Sequence, residues 1–176
     1  MASTTSGDAL PSGGRIFTSF PDIFFIPEFV FGGLVWILVA SAKVDPANPL
    51  GWVMFVSIFC FIMTTLWFFI FLCGKNQSSI WPALDAGYHF VAVVFFLSAS
   101  VDLAYVTYGI GELYKSLSGP SFVPVAPVLI PLPAVQNIDE YLKIYRLYIS
   151  AVVMSYVATL LYFLHAIFSA IRWKRS

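Results

Sequence analysis

A chain of 176 residues that is 60% hydrophobic and only 10% charged lies outside the range of soluble globular domains, which run nearer half apolar and a quarter charged. Nine basic residues balance nine acidic ones, so no basic surface is available for nucleic acid, and the aromatic residues stand in apolar runs instead of between cations. The composition is that of a membrane protein.

In chain order, Met1 to Arg15 are polar, rich in Ser, Thr and Gly, and lack the basic stretch and apolar core of a cleavable signal peptide. They are expected to form a short disordered tail, within a cytoplasmic tail bounded at residues 1–17, leaving the first apolar segment to direct insertion. A crossing helix needs about 20 mainly apolar residues for a hydrocarbon core of about 30 Å. Four segments qualify: residues 23–42, 51–73, 81–106 and 149–171. In lipid the backbone must satisfy its own hydrogen bonds, so each is a helix despite its Val, Ile and Phe content. The predicted fold class is all-α, an antiparallel up-down bundle of four transmembrane helices within residues 18–172, with a terminal tail at 173–176.

The connections differ in kind. Lys43 to Pro49 is a short turn stopped by Pro46 and Pro49, and Gly74 to Ser79 is a tight polar link. Short links make consecutive helices antiparallel neighbours. The third connection, residues 107–148, is long. Within it Pro120, Pro124, Pro127, Pro131 and Pro133 alternate with Val, Ala, Ile and Leu, which favours an extended linker along the headgroups. Asn137 can then cap a helix, with Glu140 reaching back. Ile138, Tyr141, Leu142, Tyr145 and Tyr148 recur at helical spacing opposite Asp139, Glu140, Lys143 and Arg146. This amphipathic helix either rests on the membrane or extends the fourth span outward.

Four spans place both termini on one side. Arg15, Lys75, Arg172, Lys174 and Arg175 lie on that side, and Lys43, Lys115, Lys143 and Arg146 on the other. Basic residues concentrate in cytoplasmic loops, and the dense cluster after the last span sets the expectation of cytoplasmic termini.

Ionisable groups inside a membrane are costly and mark candidate sites. They are Glu28, Asp85, His89, Asp102 and His165. Glu28 lies about one turn into the first span, near enough to the interface for water to reach it. Asp85 and His89 are four apart on one face of the third helix and form a polar pair. A metal site would need further ligands, with Cys60 the only nearby candidate, so none is expected. His165 reads as a lone packing histidine, and Asp102 as an outer-interface residue. No phosphate loop, redox pair or nucleophile-base grouping is present, so neither enzyme activity nor a cofactor is expected.

Small residues at four-residue spacing let helices approach closely in lipid. Ala151, Ser155 and Thr159 do so on the fourth span, as do Ala158, Ala166 and Ala170, with Ala83 and Gly87 on the third. They predict helix packing and a homo-oligomer. Phe55, Phe59, Phe61, Phe68, Phe69 and Phe71 on the second span are too many for one seam, so several face lipid. Trp52, Trp81 and Trp173 fall at interfaces. Cys73, at the end of the second span, is either a palmitoylation site or an inert thiol. Cys60 and Cys73 leave the outer loops without a disulfide.

Six stretches carry a resemblance. They are Glu28 to Ser41 with Gly51 to Ser57, Leu84 to His89 with Leu97 to Val101, Ser155 to Tyr162, and Ile171 to Lys174. Together these resemble the four-span MARVEL-domain proteolipids over roughly residues 15–106 and 149–176. The resemblance implies cytoplasmic termini and partition into cholesterol- and sphingolipid-rich membrane. It also implies raft-associated cargo, vesicle traffic to the apical plasma membrane through Golgi-derived vesicles and endosomes, and a part in myelin. Arg172, Trp173 and Lys174 match the family's sorting tail. The stretch from Gly111 to Gln136 has no counterpart in the short outer loop so implied and is assigned no function. The alternative class is a channel or transporter using Glu28, Asp85, His89 and His165 as a polar path. A junctional four-span protein is weaker, because such proteins rely on cysteine-bearing outer loops.

Overall fold

A computed structural model of the chain describes residues 10–42, 47–118 and 138–175, except the side chain of Leu117. Four helices, α1 (Phe25–Ser41), α2 (Ala47–Leu72), α3 (Trp81–Ser118) and α4 (Ile138–Arg175), follow two short 3-10 turns at Gly13–Phe17 and Asp22–Phe24. Each helical segment is long and apolar enough to cross a membrane. The described residues contain no strand. The prolines fit this layout: Pro27 and Pro82 fall in the first turns of α1 and α3, where a missing N–H removes no intrahelical bond. α2 ends on Gly74 at φ 68°, with Gly74 N–H donating to the Phe71 carbonyl and Lys75 N–H to that of Ile70, the αL stop that a glycine permits.

Helix α1 packs against α2 and α4, and α3 against the same two, so α1 and α3 occupy one diagonal of a four-sided bundle. The starts of α1 and α3 meet the ends of α2 and α4, as Phe25 against Phe71 and Glu28 against His165 and His89 require. Consecutive helices therefore run up and down. The core between them is dry: Val35, Val39, Val53, Val56, Phe96, Leu103 and Ala151 are each at most 1% exposed. Phe55, Phe69, Phe90 and Leu160 instead point outward, where lipid replaces water. Trp52, on that outer surface, donates to Ser98 Oγ at 3.0 Å.

Three sequence expectations need correction. Helix replaces loop over residues 107–118, because α3 continues past its expected span end, and the amphipathic helix expected from Ile138 is continuous with the fourth span in α4. Each has 38 residues, and at about 1.5 Å rise per residue about 57 Å of helix exceeds a hydrocarbon core of about 30 Å. The overhangs pack on each other through Ile110, Ile144 and Tyr148, which are buried, with the Tyr145 ring laid where Gly111 has no Cβ. The amphipathic pattern from Ile138 thus extends the fourth span and is matched by a partner on α3.

Residues 10–17 are packed, where a disordered tail was expected. Leu10 and Ile16 bury against Phe25 and Phe71, and the Asn76 side chain donates to the Pro11 carbonyl at 2.9 Å. Residues 10–24 therefore close one end of the bundle. Residues 1–9, the 43–46 part of the first turn, Asn137 and the proline-rich segment lie outside the described residues.

The small-residue face of α4 is used within the chain. Ala151 and Ser155 are fully buried, and Thr159 is half-buried with its hydroxyl 3.2 Å from Ser100 Oγ. Such a face cannot also join two chains. On α3 the inward small residue is Ala86; Gly87 is exposed with open space beyond it, and Ala83 is half-buried.

Candidate functional site

The end of the bundle that carries both termini holds six groups that no single span could assemble. Glu28 comes from the first turn of α1, Asp85 and His89 from the start of α3, and His165, Ser169 and Arg172 from the last turns of α4. Asp22 joins them from the 3-10 turn before α1. Asp22, Glu28, Asp85, His89, His165 and Ser169 are all at most 1% exposed.

His165 Nδ1 lies 2.8 Å from Glu28 Oε1, and His89 Nε2 lies 3.6 Å from Glu28 Oε2. His89 Nδ1 is 2.8 Å from the Asp85 carbonyl and 3.3 Å from its Oδ1. The Asp85 carboxylate accepts from Ser169 Oγ at 2.5 Å and from Arg172 at 2.8 Å. Arg172 also donates to both oxygens of Asp22 at 2.9 and 3.0 Å, and Asp22 accepts from Ser19 at 3.0 Å. The two imidazoles stack at 3.6 Å between centroids. Burying unpaired charge costs several kcal/mol per ion, so mutual pairing is what makes the cluster tolerable.

A neutral layer backs the ionic one. Thr64 Oγ1 lies 2.8 Å from Tyr88 Oη and 2.7 Å from Tyr162 Oη, and Tyr88 donates on to the Cys60 carbonyl at 3.2 Å. Beyond this layer the bundle interior is mainly apolar through Phe96 and Leu103, and the buried hydroxyls of Ser57, Ser100, Thr107 and Ser155 turn back onto their own helix carbonyls.

Of the sequence candidates, Glu28, Asp85, His89 and His165 converge. Asp102 does not: it lies 13 residues beyond His89 on α3, about 20 Å along a straight helix. His165 is not alone, and Glu28 is fully enclosed instead of reached by water. Arg172, assigned to a sorting tail, turns back into the cluster, whereas Trp173 and Lys174 are exposed. Asp22, Ser169, Thr64, Tyr88 and Tyr162 were missed. A signal existed on α4, because Tyr162, His165, Ser169 and Arg172 recur at three- and four-residue spacing and mark one polar stripe.

Chemically, Ser169 donates to an Asp85 carboxylate oxygen that also accepts from Arg172, and the arrangement is a structural network and not a serine-histidine pair. Glu28, His89 and His165 each offer an atom within 4.8 Å of the others, a spacing compatible with one metal ion. The expectation of no metal site rested on Asp85 and His89 lacking further ligands nearby, and the fold brings two more side chains to them.

Four apolar helices folded around an enclosed polar cluster define a multi-pass membrane protein of the four-helix class. The profile described as MARVEL: Membrane-associating domain matches residues 17–168, and the chain belongs to that family. It is 46% identical over 176 residues to the myelin and lymphocyte protein of Canis lupus familiaris, covering 99% of this chain and 98% of that one. With its Bos taurus counterpart the identity is 48% over 178 residues, with the same coverage. Plasmolipin of Danio rerio is 32% identical over 115 residues, 64% of this chain and 66% of that one. No solved structure matches the chain.

Proposed function

We propose that this chain is a raft-associated proteolipid. It organises cholesterol- and sphingolipid-rich membrane, supports vesicle traffic to the apical plasma membrane, and contributes to myelin formation or maintenance. The observation that carries the reading is near-full-length similarity to proteins named for myelin and lymphocytes. The surface agrees with it: each helix turns large apolar side chains outward, among them Ile37, Phe55, Phe90 and Leu160, while Glu28, Asp85, His89 and His165 are enclosed. A protein whose whole flank is offered to lipid acts through lipid contact and assembly. Both termini face the cytoplasm in this reading, and the protein resides in the apical membrane, Golgi-derived vesicles and endosomes. Raft-associated cargo and other copies of the chain are its partners, and it is not an enzyme.

The channel or transporter reading draws on the convergence of Glu28, Asp85, His89 and His165. Against it, those groups sit at one end, and beyond Thr64 and Tyr162 the described interior buries no acidic or basic side chain: its buried hydroxyls, Ser57, Ser100, Thr107 and Ser155, donate back to their own helix carbonyls. A permeation path needs polar or water-lined walls throughout.

Depletion in polarised epithelial cells tests the proposal, read as surface delivery of a raft-associated apical reporter beside a basolateral one. Selective apical loss rescued by the full chain is expected. Unchanged delivery of both would remove the traffic role, and solute flux in proteoliposomes would then favour the transporter.

A further inference from the structure

We propose that Glu28, His89 and His165 form a divalent transition-metal site for Zn2+ or a chemically similar ion, tying α1, α3 and α4 together at the terminal end of the bundle.

Orientation is the first argument. The Asp85 carbonyl can only accept, so His89 Nδ1, at 2.8 Å, carries a proton. The opposite nitrogen, Nε2, then faces Glu28 Oε2 at 3.6 Å, and both atoms are buried with no hydrogen-bond partner. In a neutral imidazole two lone pairs would confront each other across that gap. A cation between them removes the conflict.

Charge is the second. Within the cluster Asp22, Glu28 and Asp85 face one guanidinium, Arg172, which leaves two negative charges in a buried site. One divalent cation with two neutral imidazoles balances them. Protons on both imidazoles would balance them as well, but would set two cationic rings face to face at 3.6 Å, tilted by 30°. Neutral rings stack there without repulsion.

Geometry and surroundings agree. Two ligand atoms at about 2.0–2.1 Å from a tetrahedral Zn2+ stand about 3.3 Å apart. The nitrogen-to-carboxylate separations of 2.8 and 3.6 Å lie on either side of that value. Imidazole and carboxylate ligands suit Zn2+ and its neighbours, with the fourth position left to the second Glu28 oxygen or to water. Asp85 supplies the outer shell that commonly orients a metal-bound histidine: its backbone carbonyl accepts from His89 Nδ1 at 2.8 Å, and its Oδ1 stands 3.3 Å from the same nitrogen.

The test uses the full chain in nanodiscs, free of any histidine tag, stripped with EDTA and titrated with Co2+ and then Zn2+. Zn-edge X-ray absorption counts the imidazoles, and because the chain has two histidines in all, a count of two identifies both. The expected result is one ion per chain with two imidazole ligands. Asp85→Asn should weaken Zn2+ binding about 10- to 100-fold, and His165→Gln should abolish stoichiometric binding. Failure of the wild-type chain to bind micromolar Zn2+, fewer than two imidazoles on the bound ion, or unchanged binding in a folded His165→Gln protein would each overturn the site. If His165→Gln does not fold, the imidazole count on the wild type decides alone.

Discussion

The guanidinium of Arg172 closes on both carboxylate oxygens of Asp22, at 2.9 and 3.0 Å, joining residues 150 positions apart. The same side chain holds Asp85, so the last turn of α4 is latched to the chain entering α1 and to the start of α3. Removing one partner of a buried pair leaves the others uncompensated, and Arg172→Ala should cost about 3–5 kcal/mol of stability. Arg172→Lys keeps the charge but loses the planar fork and should fall between wild type and Arg172→Ala. SDS-driven unfolding of purified protein, followed by tryptophan fluorescence, measures both. Lys174 is exposed, so Lys174→Ala should stay within about 0.5 kcal/mol. A sorting defect in Lys174→Ala would therefore report a tail signal; one in Arg172 variants would report the fold.

The inward face of α4 makes a different prediction from its small-residue spacing. Ala151 and Ser155 are fully buried against neighbouring helices, so Ala151→Leu and Ser155→Leu should each destabilise the single chain by about 1–3 kcal/mol through overpacking. Chemical crosslinking between chains should decline only as the fold does. Preserved folding with selectively lost crosslinking would return the oligomer interface to that face.

Two glycines on α3 should respond oppositely to alanine. Gly87 opens onto empty space, so Gly87→Ala should gain up to about 1 kcal/mol from helix propensity. At Gly111 a Cβ would stand 2.9 Å from the Tyr145 ring, so Gly111→Ala must displace that ring and should lose stability. Thermal midpoints of the two variants, measured side by side, check the sign of each.

Thr64 bridges two buried phenols. Thr64→Val keeps the shape and strands the Tyr162 hydroxyl, while that of Tyr88 keeps the Cys60 carbonyl, at a cost of about 1–3 kcal/mol. Adding Tyr162→Phe should recover part of that loss, because the second change removes one stranded group. A double-mutant cycle should return a coupling of about 0.5–3 kcal/mol; strict additivity would contradict the bridge.

Cys73 is exposed and Cys60 buried. A maleimide should label Cys73 in the folded protein and reach Cys60 only after denaturation. If Cys73 is acylated in cells, hydroxylamine-dependent exchange should be lost in Cys73→Ser and kept in Cys60→Ser.

The four spans were legible because crossing a membrane is a local property. A run of about 20 apolar residues satisfies it whatever surrounds the run. The span ends were less legible on the outer side. Polar and aromatic residues after Val106 look like loop until Gly111 is seen receiving Tyr145 from the other overhang. Residues 10–17 look like tail for a similar reason, since Leu10 and Ile16 are isolated apolar residues whose partners, Phe25 and Phe71, lie in other elements.

The sequence by itself determined an all-helical, four-span membrane protein, and it singled out Glu28, Asp85, His89 and His165 as groups out of place in hydrocarbon. Up-down order determined that the starts of α1 and α3 share an end with the finish of α4. Only the tertiary structure decided that these residues meet one another, with Asp22, Ser169 and Arg172 completing the cluster. Only it decided that Ala151 and Ser155 face inward. Hydropathy depends on which residues follow one another along the chain. The pairing of His165 with Glu28, 137 residues away, depends on how far each helix is rotated and shifted against its neighbours. Packing of whole surfaces sets that rotation, and no short stretch of sequence contains it.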